Sequence, residues 1–226
     1  MVAIVVILFG LLVFLPGWWV KRTMKEFDTH RADLPGTGGE LAQHLLRHFE
    51  LDGVRLERGK LPPHYDPRTR TIHLDTKTYD GRSITAVAVA AHEFGHAMQH
   101  ADGEVGLRIR QAVMRVAAFA DKFATFFFIA APVLGLVTRS PAGLLVPTLI
   151  GIGLIAIRLA GHLVTLPVEY DASFGKALPI LREGGYLGGD DLARARSVLK
   201  AAALTYVAQA AMGLLDFTRW LRGLRF

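Results

Sequence analysis

The chain has 226 residues, of which 51% are hydrophobic and none is cysteine, with a formal charge of +6 and a positive mean hydropathy. The absence of cysteine excludes a disulfide framework and a thiolate zinc site. The length admits one domain or a compact domain with membrane segments. The basic residues are scattered or flank apolar stretches, so the charge fits membrane flanks and no nucleic-acid partner is expected.

Residues 2–20 form an uncharged run that ends in Pro16-Gly17-Trp18-Trp19 and is followed by Lys21, Arg22 and Lys25. The run is long enough for a bilayer, and tryptophans suit its interface. It lacks the basic n-region and small-residue cleavage site of a signal peptide, so residues 1–20 are predicted to be an uncleaved transmembrane anchor. The positive charges place residue 21 onward on the inner side.

Residues 21–115 read as the first part of a compact domain. Thr37 with Glu40 three residues on makes a capping box, opening a short helix with Leu41, Leu45 and Phe49 on one face. Residues 54–58 and 69–74 alternate in character and read as two short strands, with Pro62-Pro63 and Asp66-Pro67 between them. A strand just before the next helix can offer its edge to an extended peptide, which makes Thr71, Ile72, His73 and Leu74 candidates for substrate contact. An ordinary hairpin that only packs on the helix is the alternative.

The next helix spans about Ser83 to Asp102 and contains His92-Glu93-Phe94-Gly95-His96. His92 and His96 are one turn apart on one face, so both imidazoles can reach a single metal ion. Two imidazoles and one carboxylate suit zinc, leave a fourth position open and bring the pKa of bound water down to about 7. Glu93 beside them can act as the base. The residues leading in, 84–91, are too apolar for a solvated face, and burying two histidines and a glutamate without partners is costly. His100 lies one further turn along. Three ligands from one straight helix rarely converge on one ion, because each turn advances about 5.4 Å. The third ligand is therefore expected from elsewhere.

Residues 116–166 are apolar around a polar tip, Thr138-Arg139-Ser140-Pro141. Arms 123–137 and 142–157 are closed by Lys122 and Arg158, and each spans about 24 Å as a helix. Snorkelling by those two charges extends the reach toward a hydrocarbon core of about 30 Å, which favours a transmembrane hairpin. A buried helical pair, or a hairpin dipping into one leaflet, is the alternative. A hairpin starts and ends on one side, so it returns Glu169 to the compartment of His92 and His96. Glu169 is thus the predicted third zinc ligand within 167–226, and Asp171 is a candidate to orient a ligating histidine. Pro167 is expected to start a new helical turn, and a membrane-proximal helix cap beside Pro167 is the competing explanation for Glu169. Residues 190–226 read as helical, ending in an amphipathic piece with Trp220, Leu221, Leu224 and Phe226 on the membrane surface.

Several blocks together resemble the YugP-like neutral zinc metallopeptidases of bacterial membranes. They are Tyr65-Asp66-Pro67-Arg68-Thr69, Gly81-Arg82-Ser83-Ile84, residues 86–97 around the His-Glu-x-x-His motif, Pro167-Val168-Glu169-Tyr170-Asp171-Ala172-Ser173 and residues 201–208. More distantly, the segment from Glu169 is similar to the third-ligand segment of gluzincins. The resemblance implies His92, His96 and Glu169 as ligands, Glu93 as base, peptidase activity and membrane attachment. The expected fold is mainly α with a small β-hairpin (α+β): a zincin-like metallopeptidase with an N-terminal anchor and an internal hairpin. The expected cofactor is one Zn2+ ion. The expected partners are the lipid bilayer and an unfolded or membrane-proximal peptide or protein. The expected location is multi-pass in the bacterial inner membrane, with the site on the cytoplasmic side. His100, His162, Tyr170 and Tyr206 are candidates to stabilise the oxyanion. An intramembrane zinc protease using Asp216 and a non-catalytic zinc-binding adaptor are the rival readings.

Overall fold

The computed structural model describes residues 2–211. The expected amphipathic end with Trp220, Leu221, Leu224 and Phe226, and Asp216, lie outside those residues. The chain forms two compact units. One takes Trp18–Leu107 and Pro167–Thr205, and the other takes 2–17, 108–166 and the described residues from Tyr206 on. Helix α1, Val2–Glu26, does not stop at Pro16-Gly17, and its residues are divided between the two units.

The second of these units is built on a helical hairpin. Helix α5 is Val105–Thr138 and α6 is Pro141–Tyr170, and both are long and apolar enough to cross a membrane by length and composition. The turn between them falls at the expected tip, where Arg139 adopts φ 48°. Both helices outrun the arms drawn from the sequence, because the charges that closed those arms do not end them. Arg158 pairs with Asp121 on the facing helix. Nor does Pro167 open a new helix, since α6 runs through it to Tyr170. A proline removes one ladder donor, a local loss that the bonds on either side outlast.

Along α5, Ala117, Ala120, Ala124, Phe128 and Ala131 are buried at spacings of three and four residues, the stripe of one helix face. Small residues there let backbones approach closely, as in membrane helix pairs. On α6 a Cβ at Gly151 would lie 2.7 Å from the Phe128 ring, so the ring sits in the space glycine leaves. The opposite faces are exposed and apolar, with Phe126, Ile129 and Leu149 among them.

In the other unit, helix α2 is Gly38–His48, and its capping box forms as expected. The Glu40 N–H donates to Thr37 Oγ1 at 3.2 Å, and the Thr37 N–H donates to Glu40 Oε2 at 2.7 Å. Helix α3 is the single turn Thr76–Asp80, capped by Asp75. Helix α4 is Ile84–Ala101, with Ser83 as N-cap accepting from the Ala86 N–H at 3.1 Å. The end of α1 is tied to its start, because Thr85 donates from its hydroxyl to the Met24 carbonyl at 2.9 Å and from its backbone to Phe27 at 3.1 Å. Alanines at 86, 88, 90 and 91 are buried, which lets neighbouring elements close on α4. Its core partners include Leu45, Ile72, Leu74, Leu181 and Leu199, around a fully buried Phe94.

The sheet has three strands where the alternation predicts two. Strands β1 (Arg55–Gly59), β2 (His64–Asp66) and β3 (Thr71–Asp75) lie in the order β1-β3-β2, with β1 parallel and β2 antiparallel to β3. This corrects the edge role expected for Thr71, Ile72, His73 and Leu74. Their strand is central, with Thr71, Ile72 and His73 paired on both sides and Leu74 paired to β1 alone. A three-residue strand between prolines carries too little alternation to be read from sequence. Asp66 makes the β2–β3 turn, accepting from the Arg68 N–H at 2.9 Å and the Thr69 hydroxyl at 3.1 Å.

Beyond α6 the helix widens into a π-helical segment, Asp171–Ala177, and then passes into α7, Leu178–Glu183. Such segments are rare and often mark functional sites. Lys176 within it bridges Asp102 at 3.2 Å and Glu104 at 2.9 Å, pinning it to the C-terminal end of α4. The hydrogen bond to Glu104 leads the upward shift of its pKa. Helix α8, Gly189–Ala203, completes the unit, with Asp190 and Asp191 in its first turn to complement the helix dipole. Asp191 also accepts two bonds from Arg31, at 3.0 and 2.9 Å.

Candidate metal centre

Helix α4 and the end of α6 bring together three side chains, all in one unit. His92, His96 and Glu169 are buried, with 4%, 2% and 1% of their surface exposed. One ligand atom from each lies within 4.8 Å of the others. His92 Nε2 and His96 Nε2 are each 3.3 Å from Glu169 Oε2. That is long for an N–H···O bond, yet it matches the edge of about 3.3–3.4 Å between ligands around tetrahedral zinc at its usual bond lengths.

The tautomers follow from the outer hydrogen bonds. Ser173 donates its hydroxyl to the Leu199 carbonyl at 3.1 Å, so its oxygen accepts from His92 Nδ1–H at 2.9 Å. Gln99 donates both amide hydrogens elsewhere, so its Oε1 accepts from His96 Nδ1–H at 2.9 Å. Both imidazoles then present a bare Nε2 lone pair toward a carboxylate oxygen. Three converging lone pairs in a buried site call for a cation, and the nitrogen–oxygen donor set suits zinc. The residues present fit the ion.

Glu93 is 7% exposed and, among the described residues, has no hydrogen bond or ion pair. Its carboxylate is held by no protein partner among them, which sets it apart from structural acids such as Asp191. Gly95, inside the motif, faces the π-helical segment. A Cβ there would lie 2.5 Å from the Ala172 carbonyl oxygen, and a backbone atom cannot step aside cheaply. Gly95→Ala is expected to lower stability by about 1–3 kcal/mol through overpacking. It should also weaken zinc binding by pushing Glu169 away. Denaturant unfolding and chelator competition on the same variant check both effects.

The other sequence candidates are spread out. Asp171 does not reach His92 or His96 directly; its Oδ2 accepts from Gln99 Nε2 at 2.8 Å, one bond removed from His96. Tyr170 is 57% exposed, with its ring 4.5 Å from that of Phe174. His162 and Tyr206 belong to the hairpin unit, where their rings are 5.9 Å apart. His100 is not part of the three-residue cluster, and its Nδ1 takes the Tyr65 hydroxyl at 2.7 Å. Ser173 and Gln99 escaped the sequence reading. The available signal was spacing, since Gln99 is three residues after His96 and Ser173 is four after Glu169.

Burial, and then the charge of Arg70, holds His100 below the ordinary imidazole range, while burial pushes Tyr65 up to about 12. Tyr65 therefore stays protonated and donates to a neutral His100. With its folded pKa depressed, His100 binds protons more readily in the unfolded chain, so its contribution to stability is lost as pH falls below about 6.5. His100→Gln should shrink the difference in Tm between about pH 7 and pH 5. An unchanged difference in thermal melts would assign the acid sensitivity to other groups.

A buried His-His-Glu donor set beside an unpartnered glutamate is the arrangement of a zinc hydrolase. Residues 2–225 match the family model described as "Putative neutral zinc metallopeptidase", and the chain belongs to that family. It is also similar to the "Putative membrane protease YugP" of Bacillus subtilis (strain 168), with 36% identity over 206 residues, covering 89% of this chain and 87% of that protein. No solved structure matches.

Proposed function

We propose that this chain is a membrane-bound, zinc-dependent endopeptidase with His92, His96 and Glu169 as ligands and Glu93 as general base. The observation that carries the reading is the approach of both Nε2 atoms to Glu169 Oε2 at 3.3 Å. One Zn2+ ion, when bound, supplies a Lewis acid that polarises a peptide carbonyl and acidifies water. Glu93 accepts a proton from the attacking water and passes it to the leaving amine, so its carboxylate is regenerated each turnover. Ser173 and Gln99 hold the imidazoles with Nε2 unprotonated.

Residues 1–20 and the hairpin within 116–166 hold the enzyme in a bacterial inner membrane as a multi-pass protein, with the peptidase, built from residues within 21–115 and 167–226, on the cytoplasmic side. Its substrates are unfolded or membrane-proximal polypeptides. The packing of α4 among α2, α8 and the π-helical segment favours this reading over an intramembrane protease, because that is the environment of a folded domain. A cluster of three donors among the described residues favours it over an adaptor, since structural zinc sites close with four.

The test is cleavage of an unfolded model protein by the full-length, detergent-solubilised chain. Activity should vanish with a chelator and return with zinc; activity that survives complete zinc removal would refute the reading. The chain has no cysteine, so single cysteines introduced at Arg139 and Lys60 report sidedness directly. Labelling of Lys60→Cys from the cytoplasmic side and Arg139→Cys from the other is expected, and the reverse would put the site outside.

A further inference from the structure

The donors come from segments far apart in sequence, with Glu169 73 residues beyond His96. What aligns the two segments is concentrated in one side chain. Gln99 has 0% exposure and sits one helical turn after His96. Its Nε2 donates one hydrogen to the Val168 carbonyl at 3.0 Å and the other to Asp171 Oδ2 at 2.8 Å. Its Oε1 accepts from His96 Nδ1–H at 2.9 Å. Val168 and Asp171 bracket Glu169, at the point where the α ladder gives way to the π-helical one.

We infer that Gln99 is a positioning residue that couples the two halves of the metal centre: it selects Nε2 of His96 for the metal and sets where Glu169 stands against it. The inference rests on the ligand set proposed above. An amide is the one side-chain group of this size that donates twice and accepts from His96 at once. Leucine fills much of the volume and makes none of the three bonds. Glutamate keeps the acceptor for His96, has no hydrogen for Val168, and sets a negative charge against Asp171. A core glutamine that merely satisfied itself would have no reason to meet a ligating imidazole and both flanks of the ligating carboxylate together.

Zinc affinity of the full-length protein, by competition with a chromophoric chelator, is the readout, alongside thermal unfolding of the metal-free protein. Gln99→Leu should bind zinc about 10–100-fold more weakly, the usual cost of losing a group that orients a ligand. The metal-free variant should melt below wild type yet stay folded at the assay temperature, because the His96 Nδ1–H, the Val168 carbonyl and Asp171 lose their partner. Affinity within about twofold of wild type would overturn the inference, as would a loss fully matched by destabilisation of the metal-free protein. If Gln99→Leu does not fold, Gln99→Glu and the pair Gln99→Glu with Asp171→Asn decide. The single change should weaken zinc binding, and the introduced amide at position 171, donating to the carboxylate at position 99, should recover most of the loss. No recovery overturns the inference. If instead Glu169→Ala binds zinc like wild type, the ligand set itself has failed, a result distinct from either outcome at Gln99.

Discussion

Glu93→Gln is expected to lower peptide hydrolysis by about 10²–10⁴-fold, the usual contribution of a positioned general base, while the zinc content stays at its wild-type level. The substitution is nearly isosteric and removes a carboxylate that has no protein partner among the described residues, so it breaks no bond that holds the fold. It also leaves the three converging donors intact. Because no protein contact is lost, the variant should unfold near the temperature of the parent. Activity measured at matched zinc content, with thermal unfolding as control, separates this from general damage. Undiminished hydrolysis would remove Glu93 from the mechanism. An inactive parent with zinc bound would favour the adaptor reading, in which the metal only fixes the fold.

The second large effect is expected at the ligands. Glu169→Ala and His96→Ala should each weaken zinc binding by more than about 100-fold, beyond the range seen for groups one bond further out. The two variants differ in what they leave behind. Without Glu169, two neutral imidazoles remain in a buried site with their Nδ1 bonds to Ser173 and Gln99 unbroken, so the metal-free fold should persist. Without His96, Gln99 loses the donor to its Oε1 and a buried acceptor is stranded, at a cost of about 1–3 kcal/mol. Metal analysis together with unfolding of the metal-free proteins checks both statements. Wild-type zinc in Glu169→Ala would take that residue out of the ligand set.

Local pattern carried much of the site. Histidines four apart on an apolar helix, with a glutamate beside the first, place two donors and an acid on neighbouring faces through helical periodicity alone. Thr37 with Glu40 and Ser83 before an alanine-rich run mark helix starts through interactions within one turn. Hydropathy over a long window finds the hairpin helices because the signal is summed over many residues. Their ends escaped, since Lys122 and Arg158 look like terminators although the helices run through both, with Arg158 paired to Asp121.

Tertiary structure decided what depends on contacts between distant segments. Strand order is one case: β3 resembles an edge strand in sequence, and the three-residue β2 on its far side makes it central. Hydrogen-bond polarity is another. Nothing local to Gln99 says that its two hydrogens go to Val168 and Asp171, and only that fact assigns its oxygen to His96. The sequence by itself determined which residues were chemically able to hold and use a metal, because that is a property of side chains and helical spacing. The folded chain alone decided how Glu169 meets the histidines. That meeting depends on a backbone approach at Gly95 and on one buried amide, both made by residues about seventy positions apart.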